Sequence, residues 1–355
     1  MKIRTEPIGS IPRPVALIEG MAAHANGDLD EKGLSKLFES AITDTIKRFE
    51  ATGSPVITDG EQSKPSFATY PIAGMKQLDP NGVIIPFADG HIRQLPKITG
   101  GPFRYQVYAS TYLEKAKKMT NLPVKQAVIA VSAISLLYPQ EGIEGYTHDQ
   151  FINDLLNEAE TDIRRSLNSG AYNVQIDFTE ARLALKLDPS GNLLKSFIAL
   201  NNKVLTRFTK EERQKIGVHS CPGGDHDSTH SADISYADLL PLLFGLQAGN
   251  FYLEYAGERD KSSVLAVIKE NLRPGQTVFL GVTNVLDPGI ETPEEIRDRI
   301  LEAAAVIPVS QIGTTDDCGF SPFADDTSTS RDIAFSKIKA RIDGTRLAEA
   351  VLNKK

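Results

Sequence analysis

The stretch Asn168-Ser-Gly-Ala-Tyr-Asn-Val-Gln-Ile-Asp177 passes from the end of a helix-like segment, through a glycine, into a short β-rich run that ends on a carboxylate. Glycine just past a helix accepts the left-handed conformation that closes a C-cap. The same passage recurs at Glu50-Ala-Thr-Gly53 before Val56-Ile-Thr-Asp59, and at Gln247-Ala-Gly249 before Phe251-Tyr-Leu-Glu254. One α-to-β turn is thus used repeatedly. Helix starts are marked too: Thr147-His-Asp-Gln150, Thr209-Lys-Glu-Glu212 and Thr292-Pro-Glu-Glu295 each pair an N-cap threonine with Gln or Glu three residues on.

Working outward, eight candidate strands appear: a region ending in Ile8-Gly-Ser10, then residues 56–61, 126–134, 173–178, 216–221, 250–255, 277–282 and 311–315. Amphipathic stretches at 151–168, 193–213, 236–246, 262–271 and 294–306 lie between them, each long enough for a crossover helix. Such alternation implies parallel pairing. No Gly-x-Gly-x-x-Gly follows the first strand and no Walker A sequence is present, so a closed (β/α)8 barrel of the α/β class is favoured over a doubly wound sheet. The expected organisation is one barrel domain over residues 1–355, with the Pro- and Gly-rich residues 62–104 inserted in the loop after the second strand.

Composition narrows the function classes. The 39 Lys+Arg against 46 Asp+Glu give a net charge of −7, which argues against a nucleic-acid partner. The longest nearly apolar run, residues 127–139, is shorter than the roughly 18 residues of a membrane span and reads as a buried strand. No secretory h-region follows Met1, so a cytoplasmic location is expected. There, the two cysteines are expected as free thiols or metal ligands.

Barrels of this kind place chemistry at the C-terminal ends of their strands. Ser10, Asp59, Glu61, Asp177, Glu180, His219, Cys221, Glu254, Asp316, Asp317 and Cys318 all fall there. In His219-Ser-Cys221 the residues i and i+2 project to one face of a strand and can reach one ion. Alone the pair is a weak signal, because a His or Cys near a strand end is more often packed in the core. Glu254 closes the next strand and Cys318 follows the last, and together the four offer an imidazole, two thiolates and a carboxylate, a set suited to tetrahedral zinc. Three negative charges then face a divalent ion, so an incoming substrate thiolate could displace Glu254. A second cluster, Asp225-His-Asp227 with His230, reads either as a second metal or substrate-gripping loop, or as a βα loop whose side chains satisfy backbone groups and cap a helix near Tyr236.

Six segments carry a family resemblance: Ile8-Gly-Ser-Ile-Pro-Arg-Pro14, Thr58-Asp-Gly-Glu61, Val174-Gln-Ile-Asp177, Gly217-Val-His-Ser-Cys221, Phe251-Tyr-Leu-Glu254 and Thr315-Asp-Asp-Cys-Gly319. In their order and spacing the chain resembles, over nearly its whole length, the catalytic half of cobalamin-independent methionine synthase and its shorter relatives. The resemblance implies a Zn2+ site of His219, Cys221, Glu254 and Cys318 that activates a thiol. It also implies that Ile8, Ser10 (through its backbone), Glu61 and Asp177 hold an amino-acid thiol such as homocysteine, with the carboxylates of Glu61 and Asp177 complementing its ammonium group.

Three departures concern the methyl donor. Folate-using members carry an additional N-terminal barrel, not expected in these 355 residues. They place a histidine proton donor in the loop after the seventh strand, where Gly281-Val-Thr-Asn-Val-Leu-Asp-Pro288 has Leu286. They stack the pterin on a tryptophan, whereas this chain has none and offers Leu136, Leu137 and Tyr138 in that region. The expected function is a zinc-dependent methyltransferase that converts homocysteine to methionine, with 5-methyltetrahydrofolate or another carrier, such as a methylated corrinoid protein, as donor. One alternative is an epoxyalkane:coenzyme M transferase, for whose sulfonate Arg13, Lys64, Arg182 or Arg259 would supply the charge. The other is a non-catalytic zinc-containing barrel.

Overall fold

The computed structural model describes residues 2–354. Seven strands form one parallel sheet in the spatial order Arg4–Thr5, Ile312–Asp316, Thr277–Thr283, Asn250–Leu253, Ile216–Ser220, Val174–Asp177 and Gln126–Ile129. The chain around Ile57 fills the gap between the two ends. Ile57 bridges Val124 in parallel, and its carbonyl accepts from the Lys125 amide at 2.9 Å. On the other side Thr58 Oγ1 donates to the Gly9 carbonyl at 2.8 Å, and the Ile11 amide donates to Gly60 at 3.0 Å. The sheet therefore closes as the (β/α)8 barrel that the alternation predicts. Its second strand shrinks to a single bridge because Pro55 has no N–H to give and Gly60, at φ +68°, turns the chain away.

The helix signals are largely realised. Helices His148–Asn168 and Pro293–Ala304 start on complete capping boxes, Thr147 with Gln150 and Thr292 with Glu295. Gly53 caps Glu31–Thr52 at φ +75°, and Gly170 takes φ +82° before the Val174–Asp177 strand. Gly249 departs from the expectation. Its φ is not positive; its lack of a side chain instead lets the Arg213 carbonyl approach, where a Cβ would collide.

Two expected elements are also corrected. The stretch 193–213 divides into Asn192–Leu205 and Lys210–Arg213, because the Thr209 capping box that starts the second helix ends the first. The third strand stops at Ile129, and Val131–Ser135 is helical rather than the rest of a buried strand. A short apolar run buried on all sides carries no periodicity that separates the two.

Most of the core lies between barrel and helices, where Phe49, Phe151, Leu155, Val174, Ile216 and Phe251 are almost fully buried. Inside the barrel Tyr252 stacks on Phe279 at 4.6 Å and packs against Ile8. Below them, polar groups are paired: the Tyr252 hydroxyl with Glu6 at 2.6 Å, and Lys125 over the Tyr252 ring at 3.7 Å. This floor leaves the C-terminal strand ends free for a site. Residues 62–104 hold two small hairpins, Leu78–Asp79 with Lys97–Ile98 and, at the tip, Ile84–Pro86 with Ile92–Gln94. Among the described residues no helix is long and apolar enough to cross a membrane.

Candidate metal centre and substrate cavity

Parallel register sets the first contacts. His219 lies opposite Asp177 on one neighbouring strand and Tyr252 on the other. Its Nδ1 meets the Tyr252 carbonyl at 3.2 Å, which makes Nδ1 the protonated nitrogen and leaves Nε2 with its lone pair. That Nε2 is buried and has no partner. Cys221, two residues on, and Cys318, just past the Ile312–Asp316 strand, bring their sulfurs to 2.9 Å, well beyond the roughly 2.05 Å of a disulfide, and both are free. The ligand atoms of His219, Cys221 and Cys318 all lie within 4.8 Å of one another. The hydrogen bond between the sulfurs raises the pKa of Cys221 and depresses that of Cys318. An unpaired imidazole nitrogen facing two converging sulfurs is a donor set that fits a soft divalent ion.

Glu254 stands at the edge of this group rather than in it. Its Oε2 pairs with Arg182 at 2.9 Å, although Glu254 and Cys318 border the same small cavity. Leu286 lines that cavity as well. The adjoining Asp317 is held by the backbone amides of Tyr255, Ala256 and Gly257 at 2.7 to 2.9 Å.

A second, larger cavity opens on the other side of Cys318. Ile8, Ser10, Glu61, Asp177, His219 and Cys318 line its floor. Asp177 accepts from Gln175 at 2.7 Å through Oδ1, and burial above all lifts its pKa to about 6. Glu61 takes φ +57°, a strained value for a non-glycine residue, which turns its side chain toward the cavity floor. Lys64 Nζ donates to Glu61 Oε1 at 2.8 Å. Ser10 is fixed by the loop after the last strand: its carbonyl accepts from Phe320 N at 3.0 Å and its Oγ from Ser321 N at 3.2 Å. Gly319 lies against Ser10 so closely that a Cβ there would collide with Oγ.

Other rim candidates are engaged elsewhere. Asp316 faces outward to Arg341 of helix Arg331–Leu352, Glu180 accepts from Ser132 at 2.5 Å, and Asp59 accepts from the Glu61 amide at 2.9 Å. None of Arg13, Lys64, Arg182 and Arg259 lines the larger cavity. Arg13, for example, donates to the carbonyls of Ser321, Phe323, Glu61 and Lys64. Tyr138 packs at 5.4 Å from Phe151, away from the cavity.

The loop after the fifth strand is a small hairpin beside the cavity. His226 and Asp227, both at positive φ, form the tip of a hairpin joining Gly224–Asp225 to Ser228–Thr229. Asp225, His226 and Asp326 approach one another as metal ligands would, but the guanidinium of Arg93 already lies among them, 3.0 Å from Asp225 and 3.2 Å from His226. Ser235, not a side chain of the cluster, stands before helix Tyr236–Leu243, and it makes no capping bond. His230 does line the larger cavity; burial, with the charges of Lys186 and Arg182, lowers its pKa to about 4, so it is neutral. The cavity roof is formed by Phe67, Ile85, Phe87 and Arg93 of the insertion with Phe323, and none of these residues stands at a barrel strand end. The only trace of it was the insertion's position after a strand end.

The fold and this cluster define a (β/α)8 barrel with a His-Cys-Cys group at the C-terminal ends of its strands. Residues 3–331 match the family described as "Cobalamin-independent synthase, Catalytic domain", and the chain belongs to that family. It is 23% identical over 320 residues to the 5-methyltetrahydropteroyltriglutamate–homocysteine methyltransferase of Kali turgidum, covering 89% of this chain but only 40% of that longer protein. Against the methionine synthase of Saccharolobus solfataricus the identity is 20%, over 99% of this chain and 96% of the relative. Among solved structures, the B12-independent methionine synthase of Shewanella sp. W3-18-1, in complex with selenomethionine, covers 100% of both chains with a TM-score of 0.78 at 18% identity, a likeness of fold.

Proposed function

We propose that the protein is a zinc-dependent methyltransferase that methylates the thiol of homocysteine to give methionine. The observation that carries the reading is the pairing of two half-sites in one place: the unpartnered His219 Nε2 with the two cysteine sulfurs, and the carboxylates of Glu61 and Asp177 in the cavity beside them. His219, Cys221 and Cys318 would hold the ion, with Glu254, which borders the same small cavity as Cys318, as the fourth ligand. Zinc bound there would keep a substrate thiol, whose ordinary pKa is near 8.5, deprotonated at neutral pH.

The protein's own residues supply the rest. Asp177 and Glu61 attract the substrate ammonium, and its approach favours the ionised form of Asp177. Ser10, held by Phe320 and Ser321, shapes the wall beside them. The roof of Phe67, Ile85, Phe87 and Phe323 excludes water from the sulfur. In the transfer the sulfur lone pair forms the new S–CH3 bond while the donor's bond to that methyl breaks, its electron pair leaving with the donor. With Leu286 where a proton donor is expected, a donor whose leaving group needs no protonation, such as a methylated corrinoid, suits the site better than methyl-folate.

Coenzyme M is the less fitting acceptor. Its sulfonate needs a free cation, and Arg93, the one Lys or Arg lining the cavity among the described residues, is already paired with Asp225 and Asp325. An assay pairing homocysteine or coenzyme M with methyl-folate, methylcobalamin or epoxypropane tests the reading. Methionine formed from homocysteine supports it; a zinc-loaded protein that alkylates neither thiol with any donor refutes the substrate assignment.

A further inference from the structure

Arg182 is buried, at the start of helix Glu180–Leu187, and its guanidinium is held on every side. Nε donates to the Ile234 carbonyl at 2.8 Å, NH2 to the Ile234 and Ala232 carbonyls, and the group lies 5.1 Å from the Tyr236 ring. Tyr236 is itself tied to the Ser220 carbonyl at 2.7 Å, within the strand that carries His219. The guanidinium cannot follow a moving partner. Yet NH1 carries two carboxylates at once, Glu254 at 2.9 Å and Glu258 at 2.7 Å.

That double pairing has an electrostatic consequence. Removing the sole partner of a buried charge strands it, at a cost of about 3–5 kcal/mol. Here Glu258 stays on Arg182 if Glu254 leaves, so the guanidinium is neutralised in both arrangements. In the arrangement shown, one guanidinium faces two carboxylates, so Glu254 is only partly compensated there, and moving to a metal ion would relieve the excess negative charge. Two cationic partners for one carboxylate make a two-state element.

Resting on the metal reading above, we infer that Arg182 is a positioning residue that competes with the metal for Glu254, with Glu258 neutralising it whenever Glu254 has moved to the ion. Arg182 thereby turns Glu254 into a releasable ligand and opens a coordination position to the thiol. Linkage then requires that whatever strengthens the Arg182–Glu254 pair weakens metal binding in the absence of thiol, and makes thiol binding easier.

The test is zinc affinity by chelator competition, with and without homocysteine, on the full-length protein. Arg182→Met removes the competitor, so zinc should bind about tenfold tighter without thiol and homocysteine should bind correspondingly weaker. Glu258→Gln acts in the opposite direction, because it leaves Glu254 as the only carboxylate on Arg182, and thiol-free zinc affinity should fall. In a Glu254→Gln background neither substitution should matter. Unchanged affinities in both variants, shifts of the same sign, or shifts that persist with Glu254→Gln would overturn the inference, and Glu258→Gln keeps it testable should Arg182→Met fail to fold. A wild-type protein that binds no zinc would instead refute the metal reading itself.

Discussion

Arg93, on the tip hairpin of the inserted segment, grips both oxygens of the buried Asp225, through Nε at 2.5 Å and NH2 at 3.0 Å, while NH1 and NH2 hold Asp325 at 2.9 Å each. One guanidinium thus joins the insertion to the loops after the fifth and eighth strands. His91 adds a contact to Asp225 at 3.1 Å, and Ala88 N donates to Thr229 O at 2.9 Å. The cavity roof is fastened by a planar fork meeting two carboxylates, a geometry that lysine could not reproduce.

Arg93→Met should therefore loosen the roof and leave Asp225 with His91 as its remaining hydrogen-bond partner. A loss of about 2 kcal/mol in urea unfolding is expected, below the full cost of stranding a buried charge because His91 stays beside Asp225. Faster proteolytic cleavage within residues 78–98 should accompany it. Unchanged stability with unchanged cleavage would contradict the fastening role.

Cys318→Ala should abolish metal binding. The wild-type chain should hold about one zinc, because its soft ligands form one cluster, and the variant close to none by elemental analysis, with its circular dichroism intact. A folded Cys318→Ala protein that keeps its zinc would remove the ligand assignment.

At Gly319 the backbone is ordinary and the crowding is local, from Ser10 Oγ. Gly319→Ala should cost about 1–3 kcal/mol by overpacking and raise KM for the thiol by displacing the adjacent Ser10. Adding Ser10→Gly removes the colliding atom and should restore part of the lost stability; no recovery in the double variant would show that the clash is not the cause.

Burial raises Glu180 to about 7, above its usual 4.5, with Ser132 on Oε1 and no partner on Oε2. For an acid whose pKa is raised by folding, the folded state binds the proton more tightly, so stability falls as pH rises from the unfolded pKa to the folded one. The loss between 4.5 and about 7 should reach about 3 kcal/mol and then level off. Glu180→Gln should flatten that slope in urea melts at about pH 5 and about pH 8. An identical slope in variant and wild type would exclude Glu180 as its source.

Local pattern determined a good deal here. The capping boxes at Thr147, Thr209 and Thr292, the strand-end carboxylate Asp177 and the His219-x-Cys221 pair depend on neighbours within a few residues, so they are legible in the chain itself. Eight alternating units then fix the barrel, because right-handed crossovers and a common strand direction leave few other ways to bury eight parallel strands. Barrel closure decided the rest. It brought Cys318 to Cys221 and Gly319 to Ser10, turned Glu254 toward Arg182, and carried Arg93 across the cavity to Asp225. These pairs are separated by tens to hundreds of residues, and which charges meet depends on loop paths and side-chain directions that no local periodicity encodes.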